Sequence, residues 1–188
     1  MQISQNGIEF IKRHEGLVLR PYKDAVGKWT VGYGHLLDQV TDAKSGPITK
    51  EQAEELLKQD LIIYEKGVER LITAPLKQPQ FDALTSFTFN LGIGALQRST
   101  LRAKLNRKEY SAAADEFLKW NKGKVRGKFM VLGGLDRRRR EEKAMFLNIP
   151  KSLSTPTTSQ PNLVDPTSKT TKEWYEKILE SLYRLFQK

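Results

Sequence analysis

The chain has 188 residues and a formal charge of +10, with 38% hydrophobic and 29% charged residues, the make-up of a soluble globular protein with room for one buried core and an appendage. It has no cysteine and only two histidines. That excludes disulfide staples, thiol nucleophiles and thiolate metal sites, and a zinc hydrolase would have to fill its ligand set with carboxylates. So positive a balance points to a polyanionic partner such as nucleic acid, anionic lipid or an acidic cell envelope, and fifteen basic against six acidic residues over 98–143 put the charge in the globular part rather than in a tail.

In chain order, Asn6 with Glu9 three positions later predicts a capping box opening a short helix. No apolar run in the first sixteen residues is long enough for a signal sequence or a membrane span, so the protein is expected to stay in the cytoplasm until something releases it to the cell wall. LVLRPYKD and KWTVGYG, with Gly27 between them, predict a small β-hairpin or sheet over 17–36. A loop, VTDAKSGP, follows. Thr49 and Gln52 then cap a long helix whose apolar positions Ala53, Leu56, Leu57, Ile63, Val68 and Leu71 recur at helical spacing, with Pro75 at or just beyond its end.

From Pro79 the pattern is helical in pieces: PQFDALTSFTFN, closed by Leu91 and a left-handed Gly92, a piece from Ser99, and EYSAAADEFLKW. NKGKVRGKFMVLGG reads as loop or turn, and a last helix spans about 135–147. The outline is α+β: a small β-sheet lobe and a larger helical lobe joined by a long helix. Residues 1–149 form that domain. A Ser/Thr/Pro-rich linker at 150–171 follows, too poor in apolar residues to fold alone. Over 172–188, Trp174, Tyr175, Ile178, Leu179, Leu182, Leu185 and Phe186 fall within an arc of about 140° at helical spacing. This amphipathic segment either docks on the domain or on another copy, or acts on lipid, although its own charge of +1 is small for a lipid-seeking helix.

The densest chemistry lies in HEGLVLRPYKDAVGKWTVGYGH, residues 14–35. Cleaving a glycosidic bond takes two oxygen-bearing groups, one carboxylic acid kept protonated and one group kept ionised. Glu15 falls where the first helix meets the sheet lobe, and Asp24 falls at the hairpin beside solvent. Thr30 would bring a hydroxyl to a water bound by Asp24. Spacing alone favours ordinary polar residues around a hairpin over a catalytic set.

The surrounding residues change that balance. HEGLxLxxYKDxxGxWTxGYGH resembles the active-site signature of phage lysozymes, the endolysins of glycoside hydrolase family 24. The resemblance continues through ITKEQAEELLKQD, QFDALTSFTFNLG and GLDRRRREEKAMFL, so it covers about residues 6–149. It implies a lysozyme-like fold and a peptidoglycan muramidase that cuts between N-acetylmuramic acid and N-acetylglucosamine to lyse the host. Glu15 would be the general acid, Asp24 with Thr30 would hold or activate water, and inversion would set the carboxyls about 6.5–9.5 Å apart. It also implies a cleft lined by Leu36, Phe89, Asn90 and Thr100, and a structural pair of His35 with Asp60. Arg138, or a neighbour, would make a salt bridge near the catalytic glutamate. No cofactor and no metal are implied.

The remaining arginines of the run 137–140 are expected on a solvated basic face, since four consecutive helical residues point in all directions and cannot form one groove-reading stripe; nucleic acid is not an expected partner. The expected partners are peptidoglycan and, through residues 172–188, anionic outer-membrane lipid, with the chain acting as a monomer. His14 is assigned no role. The alternatives are a lytic transglycosylase on the same bond and a cationic envelope-binding or membrane-disrupting protein.

Overall fold

The computed structural model describes residues 1–24, 27–37, 46–125 and 128–149; the linker and terminal amphipathic segment expected over 150–188 lie outside them. Two compact units emerge. One is helical and comprises residues 1–14, 58–122 and 131–149; the other contains 15–57 and 123–130. The long helix α2 (Lys50–Leu71) runs from one unit into the other.

In the sheet unit, β1 (Val18–Lys23), β2 (Trp29–Gly32) and β3 (His35–Leu36) pair antiparallel with β2 in the middle. Tyr22 lies opposite Thr30, and Thr30 opposite Leu36. The register shifts between Val18 and Tyr22, where four residue steps on β1 match two on β2, a bulge that bends β1. Val31, Tyr33, Ala53 and Leu57 are buried here. Gly32 has a φ of 68°, and a Cβ there would lie 3.2 Å from the Ala53 Cβ, so both backbone conformation and close approach favour glycine. The start of α2 is the expected capping box: the Thr49 N–H donates to Gln52 Oε1 (2.8 Å) and the Gln52 N–H to Thr49 Oγ1 (3.2 Å).

The helical unit begins with α1 (Gln5–Glu15). Its cap is Ser4 rather than the expected Asn6: Ser4 Oγ accepts from the Gly7 N–H at 3.2 Å, while Asp82 accepts from both the backbone N–H and the hydroxyl of Ser4. A buried carboxylate from a distant helix thus decides the cap. On α2, Leu61, Val68 and Leu71 are buried, but Ile63, expected in the apolar stripe, is 60% exposed. The N–H of Thr73 donates to the Asn106 side chain, which itself donates to the Leu71 carbonyl; these bonds satisfy the helix end before Pro75 is reached.

Helix α3 (Gln78–Leu91) is buried on every side from Phe81 to Thr88, as a core helix must be, and packs chiefly on α7 (Gly133–Phe146). Phe87 meets Phe117 and Trp120 edge to face at 5.4 and 5.6 Å, and Phe117 meets Phe146 at 5.7 Å. Gly92 has the expected positive φ, 85°, but its ψ of 156° is extended rather than left-handed helical. That conformation lets it close α3 and open α4 (Ile93–Arg98) at once. Then come α5 (Thr100–Asn106), α6 (Tyr110–Glu116) and a 3₁₀ turn at Phe117–Trp120.

The stretch expected to be loop is instead a hairpin, β4 (Lys122–Val125) with β5 (Lys128–Val131). Lysines and glycines interrupt the apolar alternation that would announce strands, and the buried position of β4 is Gly123, which carries no apolar side chain to signal it.

Candidate active site

Glu15 is the last residue of α1, Asp24 follows β1 directly, and Thr30 lies on β2. All three belong to the sheet unit. Asp24 is built into the turn between the strands. Its N–H donates to the Lys28 carbonyl (2.8 Å), its carbonyl accepts from the Gly27 N–H (3.0 Å), and its Oδ1 accepts from the Lys28 N–H (2.8 Å). Such a side-chain bond to the backbone two to four residues on is what Asp offers a turn, and it sets the direction of the carboxylate. Thr30 is buried, and its hydroxyl lies 3.3 Å from the same Lys28 carbonyl. Asp24 and Thr30 therefore share one backbone anchor.

Tyr22 ties the third group to these two. Burial, then the negative charge of Asp24, then that of Glu15 push its phenol above the ordinary value. Both carboxylates thus lie within electrostatic reach of the side chain that sits across the ladder from Thr30. At the edge of this sheet Leu36 is exposed on β3, with His35 half-buried beside it.

The other expected site residues lie in the helical unit. Phe89 is half-buried near the end of α3, its ring edge-on to Tyr64 at 5.2 Å. Asn90 Oδ1 accepts from the Arg139 guanidinium at 2.8 Å. Thr100 is exposed at the start of α5, and Asp60 is half-buried on α2. Arg138 is buried against Glu142 (3.2 Å) and the Ser86 hydroxyl (3.3 Å).

Arg139, expected on a solvated face, is fully buried: it donates to Glu142 Oε1 at 3.1 Å and stands over the Phe87 ring at 5.1 Å. Ser86 also donates to that oxygen, at 2.8 Å. One buried carboxylate thus serves two guanidiniums, while Arg137 and Arg140 stay exposed. The spacing of Arg138 and Arg139 to Glu142, four and three residues, was the available signal.

His14, given no role by the sequence, has its Nε2 3.1 Å from Glu141 Oε2. Burial pushes the Glu141 carboxyl up, but the His14 hydrogen bond and the charges of His14, Arg13 and Arg137 hold it below the usual range. Among the described residues no three His, Asp or Glu side chains gather to hold a metal ion.

A small antiparallel sheet, a larger helical lobe and a long helix running from one to the other make up the architecture of a lysozyme-like muramidase. The profile of the phage lysozyme family matches residues 12–142. The chain is 46% identical over 147 residues to an endolysin from Acyrthosiphon pisum secondary endosymbiont phage 1, covering 78% of this chain and 98% of that one. It is 45% identical over 150 residues to the endolysin of Salmonella phage P22, covering 79% and 99%. The muramidase domain of SpmX from Asticaccaulis excentricus superposes with a TM-score of 0.72 at 39% identity, over 78% of this chain and 97% of that one. The chain belongs to the phage lysozyme family.

Proposed function

We propose that this lysozyme hydrolyses the β-1,4 bond between N-acetylmuramic acid and N-acetylglucosamine in peptidoglycan, lysing the host cell from which the phage emerges. Glu15 donates a proton to the departing glycosidic oxygen. Asp24, with the Thr30 hydroxyl, holds or activates the water that attacks the anomeric carbon from the other face. The observation that carries this reading is the shared influence of Asp24 and Glu15 on the Tyr22 phenol, directly across the ladder from Thr30. Two carboxyls within reach of one half-buried ring, one of them held by the Lys28 N–H, supply the two oxygen-bearing groups that cleavage of an acetal requires.

In the same reading Leu36, Phe89, Asn90 and Thr100 contact the sugar chain. His35 with Asp60, and Arg138, steady the site without touching substrate. The test is clearing of purified murein by wild type beside Glu15→Gln. Loss of one general acid predicts a fall of roughly 10²–10⁴-fold at an unchanged melting temperature; near-normal clearing overturns the assignment. Product masses complete it, since hydrolysis leaves a reducing muramic acid end whereas a transglycosylase leaves a 1,6-anhydro end.

A further inference from the structure

Residues 117–135 hold five basic residues and no acidic one. Inside that stretch β5 exposes all four of its side chains, whereas a strand on a domain surface turns alternate residues inward. Phe129, Met130 and Val131 are 62%, 51% and 53% exposed in succession. Lys122, Lys124 and Lys128 are exposed on the same two-stranded sheet. An aromatic, a thioether and a branched side chain left open on both faces of one strand mark an interaction surface rather than scattered surface hydrophobes.

We propose that the β4–β5 hairpin is a lipid-contacting element. It seats Phe129, Met130 and Val131 at the headgroup–acyl boundary of an anionic membrane, with Lys122, Lys124 and Lys128 on the phosphates. The pairing of apolar and basic groups decides the occupant. A wall polymer or nucleic acid would be met by the lysines alone, while an anionic bilayer offers surface charge for the lysines and a greasy layer for Phe129 and Met130. No helix among the described residues is long and apolar enough to cross a membrane, and the proposed contact is made by the two short strands alone. A basic residue near an anionic surface contributes about fivefold to binding, which makes about a hundredfold for three lysines and leaves the contact sensitive to salt. The inference is independent of which residues cleave the glycan.

The chain lacks cysteine, so Met130→Cys gives a single attachment point for a polarity-sensitive fluorophore, and Ser111→Cys, at an exposed position of α6, gives a control. Both are made in the full chain and mixed with phosphatidylglycerol-containing or pure phosphatidylcholine vesicles. The expected result is a blue shift, with quenching by brominated acyl chains, for the label at 130 on the anionic vesicles only. The label at 111 should not respond, and salt should reverse the shift. Because residues 172–188 stay in the chain, the label reports the hairpin and not simply retention on vesicles. In the unlabelled chain, Phe129→Ser with Met130→Ser should weaken vesicle retention at least tenfold with melting and murein clearing unchanged. A label at 130 that stays in water while the protein binds vesicles overturns the proposal, as does an equal shift on neutral vesicles. Loss of murein clearing with vesicle retention intact also overturns it and assigns the hairpin to the wall polymer. Binding to an acidic protein without any response to vesicles overturns it in favour of a protein partner.

Discussion

Glu142→Gln tests the buried arginine network at its hub. The Glu142 side chain is fully buried, and its Oε1 accepts from Ser86 (2.8 Å), Arg138 (3.2 Å) and Arg139 (3.1 Å). Glutamine keeps the shape and one acceptor oxygen but removes the charge that two buried guanidiniums face. Breaking a buried pair by neutralising one partner costs ~3–5 kcal/mol, because the remaining charges stay desolvated. For a chain of this size each kcal/mol moves the melting temperature by about 2–4 °C, which predicts a fall of roughly 6–20 °C by calorimetry at neutral pH. Ser86→Ala removes one bond and should cost ~1–2 kcal/mol, and the double variant should lose less than the sum because both act on one oxygen. A fall under about 2 °C for Glu142→Gln would refute the reasoning and mean that water or relaxation compensates the guanidiniums.

Asp24→Asn should bring the Tyr22 phenol down towards the ordinary tyrosine value, and Glu15→Gln should do so by less; titration of ¹³C-labelled tyrosine measures both, and no movement in either variant would separate the carboxyls from the ring. Because that phenol is raised on folding, its contribution to stability is complete below the ordinary tyrosine value and is lost as pH climbs towards the raised one. At Glu116 burial pushes the carboxyl up, but the Lys104 and Lys119 hydrogen bonds at 2.5 and 2.9 Å pull it below normal. Its stabilisation is therefore present above the ordinary glutamate value and lost as pH falls through the lowered one, and Glu116→Gln should flatten the acid limb of denaturant midpoints. Gly32→Ala should cost ~1–2 kcal/mol from the left-handed backbone alone, and the 3.2 Å approach to Ala53 adds to it; a urea midpoint equal to wild type would contradict both.

What could be read from the chain was what short-range chemistry decides. The Thr49–Gln52 cap is complete within four residues, so it appears where expected. Glu15, Asp24 and Thr30 fall on one helix end and one small sheet, so their placement in the sheet unit followed from local signals. Ser4 displaced Asn6 as the cap because Asp82, 78 residues away, holds it. Arg139 looked solvated although Glu142 lies three residues away, because what buries it, Phe87 and Asn90 of α3, lies 49 residues or more earlier in the chain. Ile63 has helical spacing yet faces out, while Leu61 faces in; periodicity gives a stripe but not which side of it meets the core. The β4–β5 pairing was illegible because β5 exposes all four of its residues and the one buried position of β4 is Gly123, so no apolar alternation marks either strand.

The bulge in β1 and the plain pairing beyond it bear on how the gene can change length. Val18 opposes Gly32, yet Tyr22 opposes Thr30, so two surplus residues are already absorbed between Val18 and Tyr22. Codon gains or losses before Tyr22 can be taken up there by the bend. Beyond the bulge Tyr22 opposes Thr30 and Lys23 opposes Trp29 in step, and with a strand period of two, one codon gained within β2 before Thr30 would turn Thr30 to the opposite face. Insertion and deletion scanning should therefore find the stretch between Val18 and Tyr22 more tolerant than β2.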